Sequence, residues 1–450
     1  MAGILGLSID PKSYQGNFPQ ELFWLSFYLQ HLGEDMGGLS VYTGKKVELF
    51  GPDPGLLHSN FGHRLHEISG SEAISYCGPG REPFFADSKL GEMSLCFSGN
   101  LLNLDGLIGE LKNRGHLFEK GADIEAIAHL IIQGEGVLDG IKKMNNEIVG
   151  AYALLLLTQE GIYAVRCPSA QWPLIIGEKQ GAVVVASEAR GFSNFGFRRV
   201  RDLEPGEIIL LKNGHYETKA ILPCQKVQIC SFLWVYTLSP DAVIEGIPVS
   251  LVRKKLGAVL ARHDIEDGFI PDVVAPIPDS GRFHAIGYHN EFCRQIMLRK
   301  IKRIPMYDEP LIKVAHMGRS FTPQEKEIRH LKAHVKIVRS GEDYSGLVLV
   351  LCDDSLVRGT QTQTHLVPKA RALGVKEIHF RFSNPKLLSH CPWGKTTRPG
   401  ETLAHRMPSE EAISRFLGVD SVKFNSIEGL AESIGLPLER ICVDCSRQKL

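Results

Sequence analysis

The chain has 450 residues, with 51 basic and 51 acidic side chains, 43% hydrophobic residues and 23% charged ones. This is an ordinary globular balance, long enough for two large domains or three small ones. The even charge, with no basic or acidic tail, argues against a nucleic-acid partner.

The opening residues, MAGILGLSID, lack a basic stretch and a long apolar core, so no secretory signal is expected. No apolar run reaches the roughly 18 residues of a membrane span, and ten cysteines over this length do not suggest a disulfide framework. A cytoplasmic protein with no membrane contact is expected. From the N-terminus, continuously apolar or alternating runs predict strands at 3–9, 39–42, 46–50, 152–157, 162–165, 182–186 and 207–211. Gly161, Gly181 and Asn213-Gly214 supply turns. Helices are predicted near 20–32, 102–113 and 123–133. Strands in this density with helices outside them imply a layered α+β domain with two packed sheets. The rhythm changes after 215–235. Strands at 272–277, 347–352 and 377–382 then alternate with helices near 250–262, 283–299, 361–373 and 408–417, the pattern of a mostly parallel α/β domain.

The most informative stretch is LVLVLCDDSLVRGTQTQT, residues 347–364. A buried-type strand runs into Asp353 and Asp354, and Ser355, Arg358, Gly359, Thr360 and Thr362 lead on into a helix. Parallel sheets bind ligands at the carboxyl ends of their strands, and helix N-termini favour anions. Gly359 allows close backbone approach, the hydroxyls offer donors to a phosphate, and the acids fall where ribose hydroxyls would lie. Two adjacent acids at the end of a buried strand are costly unless they bind something. This matches the signature of type I phosphoribosyltransferases, in which the acids hold the ribose diol and the loop holds the 5′-phosphate.

A second loop, 275–288, repeats the layout with Asp279, Ser280 and Gly281, and would meet a pyrophosphate through backbone donors. A third segment, 317–336, is polar and basic, with Arg319, Arg329, Lys332 and Lys336. It reads either as a solvated helix face or as a lid that excludes water.

These three segments, with Gly-Arg-Ser-Phe at 318–321, resemble the glutamine phosphoribosylpyrophosphate amidotransferase family. So do GAYALLLLT (150–158), WPLIIG (172–177), VVASEARG (184–191), VRDLEPGEI (200–208) and CSFLWVYTLSPDA (230–242). The resemblance implies an Ntn-type αββα sandwich over residues 1–220, followed by a type I phosphoribosyltransferase domain over 221–450 that carries a cysteine-bearing tail. It implies Mg²⁺ at Ser280, Asp353 and Asp354, with Arg319 joining the acids in catalysis, and a homodimer or homotetramer.

The family's glutaminase uses an N-terminal cysteine as nucleophile, a role that needs a thiolate-capable sulfur. Here that position is Ala2. The arginine of the family's Gln-His-Arg-Gly stretch is Leu32, the carboxylate-clamping arginine falls at Tyr76-Cys77-Gly78, and the Asn of the oxyanion-hole pair is Ser98 before Gly99. Asp123 alone survives of the glutamine-amine contacts. The expectation is a glutaminase domain without glutaminase activity. The transferase half departs too, at Ser239 before Pro240-Asp241, at Trp393-Gly394-Lys395-Thr396, and at Pro368, expected to kink its helix.

Some family members hold a [4Fe–4S] cluster on four cysteines, and Cys230, Cys391, Cys442 and Cys445 match those positions. A C-x-x-C pair with two distant thiolates suits an iron–sulfur cluster, and zinc takes a similar set. The reading is a phosphoribosyltransferase using phosphoribosyl pyrophosphate with ammonia or another amine, the ammonia free or delivered by a separate protein. The alternative is a non-catalytic protein that binds phosphoribosyl pyrophosphate or nucleotides, or that regulates an active amidotransferase.

Overall fold

The computed structural model describes residues 2–55, 57–119, 122–314, 335–394 and 397–447. The chain forms two compact units. One comprises Met1–Cys230 with Ala242–Gly246 and Pro392–Gly394, and the other comprises Ser231–Asp241, Ile247–Cys391 and Lys395–Leu450.

The first unit is built on two antiparallel sheets. The seven-stranded sheet runs in the spatial order Arg198–Asp202, Ile175–Lys179, Ala182–Ala186, Gly3–Ile9, Glu72–Gly78, Met36–Tyr42 and Val47–Pro54. The six-stranded sheet runs His215–Ile221, Glu207–Lys212, Gly161–Arg166, Gly150–Thr158, Gly91–Leu101 and Phe84–Ser88. The sheets stack face to face: Ser40 and Ser94 share a buried hydrogen bond of 2.6 Å, and Gly6 lies against Ile162. Sheets covered on both faces need apolar residues on both sides of each strand, which is why 150–158 and 72–78 lack alternation. Helices Phe18–Tyr28, Leu104–Asn113 and Asp123–Ile132 fall on the predicted segments. The first is capped by the Asn17 side chain, which accepts from the Gln20 N–H.

Among the described residues, six strands of these two sheets and two α-helices of this unit, Leu57–Phe61 and Val137–Glu147, went unpredicted. Glu72–Gly78 and Gly91–Leu101 carry serines, a cysteine or glycines that dilute the apolar signal, and Val137–Glu147 is a largely polar helix. Their placement is a tertiary effect: strand 91–101 pairs along its whole length with 150–158.

The second unit holds a five-stranded parallel sheet in the order Met306–Tyr307, Val273–Pro276, Val348–Asp353, Glu377–Phe382 and Ser421–Phe424. Its faces divide by strand alternation. Leu349, Leu351, Ile378 and Phe380 enter one core, while Val350 and Cys352 pack with Leu260, Ala285, Tyr288 and Phe292 in the other. Helices Val249–Glu266 and Arg282–Met297 cross closely, because Gly257 meets the His284 carbonyl and Gly287 the Lys254 carbonyl. A Cβ at either glycine would lie 1.9 Å from that oxygen. Pro368 acts as expected in kind. The turn before it, Thr362–Leu366, is π-wound, with the Val367 N–H reaching the Thr362 carbonyl, before a short α-helix Val367–Arg371. Proline offers no N–H to residue 364, and the widened turn accommodates its ring.

Beneath the sheet, Asp264 is fully buried. It accepts both arms of Arg381 (2.5 and 3.0 Å), the Tyr288 hydroxyl (2.5 Å) and the Lys423 ammonium (2.8 Å). Burial alone would raise its pKa, but Arg381, Lys423 and Tyr288 more than offset this and hold it below the usual carboxylate range. A depressed folded-state pKa contributes stability that is present above the unfolded value near pH 3.9 and lost as pH falls through the folded value. Asp264→Asn strands Arg381 in the core and is expected to cost about 3–5 kcal/mol in urea unfolding at pH 7. Its deficit against the parent should shrink below about pH 4, so a deficit that stays constant into acid would refute this account.

Candidate active site

The parallel sheet brings two loops to one edge. The strand Val273–Pro276 leads into the turn holding Asp279, Ser280 and Gly281, and its neighbour Val348–Asp353 ends in the acid pair. The Ile277 N–H donates to the Cys352 carbonyl (2.9 Å), which keeps the loops side by side beyond the last ladder pair.

Asp353 accepts on Oδ1 from the Ser280 hydroxyl and from the Asp354 N–H, each at 2.9 Å. Asp354 is buried and accepts from the Ser355 hydroxyl at 2.5 Å. The carbonyls of both acids accept from the next strand's exit, Asp353 from Ser383 N–H (3.0 Å) and Asp354 from Asn384 N–H (2.7 Å). Burial first, and the adjacent Asp354 second, push Asp353 well above the ordinary carboxylate range. Two carboxyls this close cannot both ionise cheaply without a cation. Mg²⁺ needs only one or two carboxylates, with phosphates and waters completing its shell, so two carboxyls beside a hydroxyl fit it.

Gly281 serves close approach. Its N–H donates to the Ile277 carbonyl (2.8 Å), and a Cβ there would lie 2.1 Å from the Cys352 carbonyl. That N–H is therefore committed within the chain, contrary to the expectation that it would donate to pyrophosphate. Asp279 is half exposed and bonds to the Lys313 ammonium at 2.7 Å. Arg282 lies 3.6 Å from Asp279 and is held by Glu309 at 2.9 Å. Lys313 and Glu309 lie far from the turn in sequence, and no motif marked them.

In the phosphate loop, Gly359 has φ +74° and faces Leu403, whose Cδ2 would sit 2.6 Å from an added Cβ. Thr360 is exposed and Thr362 and Ser355 are partly so. Arg358 donates from Nη2 to Glu401 at 2.5 Å, a partner that sequence reading missed. Arg319, with Arg329 and Lys332 of the basic segment, lies outside the described residues, as do Lys395 and Thr396. Ser239 is buried, with its hydroxyl bonded to Asp241.

In the first unit the Ala2 N–H donates to Ser98 Oγ (2.9 Å), and that hydroxyl donates back to the Ala2 carbonyl (3.0 Å). Ala2, Leu32, Tyr76 and Asp123 are buried. Tyr76, where a clamping arginine was sought, accepts from the Gly80 N–H through its phenol oxygen (2.8 Å). The ring crowds Gly78: a Cβ there would meet the Tyr76 hydroxyl at 2.4 Å and the Ala2 methyl at 2.7 Å. Gly33, after Leu32, packs on the same glycine, and Gly99 lies against the Ala151 carbonyl. Burial pushes the Cys77 thiol up to about 12 and Cys96 well above its usual range, so neither is a ready nucleophile.

Of the four tail and linker cysteines, Cys391, Cys442 and Cys445 belong to the second unit and Cys230 to the first. Burial first, and then the neighbouring thiol of Cys391 among others, push Cys442 and Cys445 up to about 12. These thiols are close enough to sense one another. Even so, among the described residues no group of three or more His, Cys, Asp or Glu side chains is arranged to hold a metal ion. The expected [4Fe–4S] cluster or zinc ion on Cys230, Cys391, Cys442 and Cys445 is therefore not shown among the described residues. Among the described residues no helix is long and apolar enough to cross a membrane.

A family profile for a glutamine amidotransferase domain matches residues 72–194. The amidophosphoribosyltransferase of Methanocaldococcus jannaschii is 32% identical, with 99% of this chain and 96% of the relative covered. That of Bacillus subtilis is 32% identical over 93% of this chain and 87% of the relative. A solved structure of the B. subtilis glutamine phosphoribosylpyrophosphate amidotransferase superposes with a TM-score of 0.86 at 30% identity, covering 99% of this chain and 96% of that one. The fold is accordingly that of an Ntn-type glutaminase domain joined to a type I phosphoribosyltransferase domain. Near-complete coverage at this identity, over the same fold, settles the kinship: the chain belongs to the amidophosphoribosyltransferase family.

Proposed function

We propose that this chain transfers the phosphoribosyl group of phosphoribosyl pyrophosphate to ammonia or another small amine and does not itself hydrolyse glutamine. The observation that carries the first half is Asp353 and Asp354 held beside Ser280 at the sheet's carboxyl edge. The second half rests on Ala2, with Tyr76 crowding the same glycine as its methyl. The working division is a glutaminase-like domain over 1–220 and a transferase domain over 221–450, in a homo-oligomer.

In this reading the acid pair binds the ribose hydroxyls, and the loop of Ser355, Arg358, Gly359, Thr360 and Thr362 binds the 5′-phosphate. The turn of Asp279 and Ser280 lies beside the pyrophosphate, with Lys313 and Arg282 as the nearby cations. Magnesium, when bound, supplies charge neutralisation for the departing pyrophosphate. The C1–oxygen bond breaks with its electron pair leaving on pyrophosphate, and the amine nitrogen bonds to C1 and then sheds a proton. The ring carbon passes through an oxocarbenium-like state, so the protein's contribution is positioning, charge and water exclusion. With ammonia the product is phosphoribosylamine. Ammonia is taken from solution or from a separate protein.

Purified protein is expected to release pyrophosphate from the sugar diphosphate with ammonium and not with glutamine, and to form no glutamate. Tight sugar-diphosphate binding without release under every amine tried would favour the binding-protein alternative, and glutamate formation would refute the glutaminase half. Ala2→Cys alone is expected to leave glutamine untouched, since Leu32, Tyr76 and Ser98 remain; glutamate release by that variant would show the site otherwise intact.

Gly359→Ala forces a side chain into a left-handed backbone and against Leu403. It is expected to raise the sugar-diphosphate KM by at least about fivefold, given a strain of about 1–3 kcal/mol. Steady-state kinetics with ammonium checks this.

The pH dependence has a fixed sign. Burial and the neighbouring carboxyl bias Asp353 toward its protonated form, and magnesium with the sugar diphosphate favours the ionised form. Affinity should therefore rise with pH and level off once Asp353 is ionised. Calorimetric titrations in buffers of differing ionisation enthalpy should show proton release on binding. Proton uptake would overturn this assignment.

A further inference from the structure

The phosphate loop is anchored to one distant segment at three successive residues. The Val357 carbonyl accepts from the Leu403 N–H at 2.7 Å. Arg358 donates to Glu401 at 2.5 Å. Gly359 faces the Leu403 side chain, with Phe416 behind it. Glu401 is itself fixed, since its Oε2 also accepts from the Arg398 N–H at 3.0 Å.

The Arg358–Glu401 pair is about one-third exposed on both sides, at 33% and 28%. Ion pairs that open to solvent add little to stability, so fold maintenance is a poor account of it. Its geometry suits another role. A guanidinium carries five N–H groups in a rigid fork, and the contact with Glu401 uses Nη2. The remaining donors are available to an anion while the carboxylate keeps the side chain in one rotamer. A long arginine left free would have to be frozen each time a phosphate arrived, at the expense of affinity.

We propose that Glu401 is a positioning residue for the 5′-phosphate subsite: it fixes the Arg358 guanidinium within the loop before the sugar diphosphate binds. This rests on the transferase reading above and adds a residue that touches no substrate. The carboxylate does not compete with the phosphate for the whole fork, because it takes one arm.

The test is a double-mutant cycle on the full chain with Arg358→Ala, Glu401→Gln and the pair of changes combined. The readouts are pyrophosphate release with ammonium, sugar-diphosphate binding by calorimetry, and melting temperature. Glu401→Gln should raise KM and Kd for the sugar diphosphate on the order of tenfold, the size of one charge-assisted bond. The rise in KM should exceed any change in kcat, and the melting temperature should stay close to the parent's. In the Arg358→Ala background the same change should do almost nothing, since the residue it positions is gone. Glu401→Asp should recover part of the loss. Multiplying effects in the double variant would overturn the proposal, as would a Glu401→Gln variant that loses melting temperature and kcat with no selective rise in KM. If Arg358→Ala alone leaves sugar-diphosphate affinity unchanged, the placement of Arg358 in the phosphate loop fails instead. If the parent chain does not bind the sugar diphosphate at all, the transferase reading itself fails.

Discussion

Two adjacent carboxyl groups, Asp354 buried and Asp353 partly so, repel each other and lose hydration, and the second unit is arranged around that cost. Asp353 and Asp354 sit at the end of the strand with parallel neighbours on both sides. Their carbonyls are held by Ser383 and Asn384 from one neighbour, and the Asp353 side chain by Ser280 from the other. The backbone is thus fixed before any ligand arrives, while the charge of the pair is left unsatisfied. A cation with a polyhydroxyl phosphate is the kind of ligand that relieves both costs together.

Electrostatic support on the opposite face of the sheet follows a different logic. Asp264, Arg381, Tyr288 and Lys423 satisfy one another, with Asp264 accepting from three side chains. Arg381 lies two residues before Ser383 on the strand that steadies the acids. A fully paired network in the core and an underpaired acid pair at the edge therefore share one strand. The first contributes rigidity, and the second has charge left over for a ligand.

The first unit separates fold from chemistry. Its two sheets depend on strand pairing and on the apolar faces of 72–78 and 150–158, none of which requires a nucleophile. Ala2 immediately precedes the first strand, with the Ser98 hydroxyl closing both its N–H and its carbonyl. A sandwich of this kind packs without a thiol at residue 2 or an arginine at 32 or 76, because buried Leu32 and Tyr76 fill the space.

The sequence by itself determined the acid pair, the glycine turn after it, the loop at 275–288 and the absence of a sulfur at residue 2. Each is a short contiguous motif whose chemistry is set by residue type and spacing, and the strand–helix rhythm alone placed the motifs at strand ends. Only the tertiary structure decided the rest. It paired Arg358 with Glu401, Asp279 with Lys313, and Asp264 with Arg381, partners separated by 43, 34 and 117 positions. It committed the Gly281 N–H to Ile277 and brought Cys391, Cys442 and Cys445 near one another from separate stretches of the chain. It also recruited strands such as 91–101, whose own periodicity is weak. Contiguous residues fix local chemistry, but pairing across long separations depends on which chain segments the core brings together, and no short stretch of sequence encodes that.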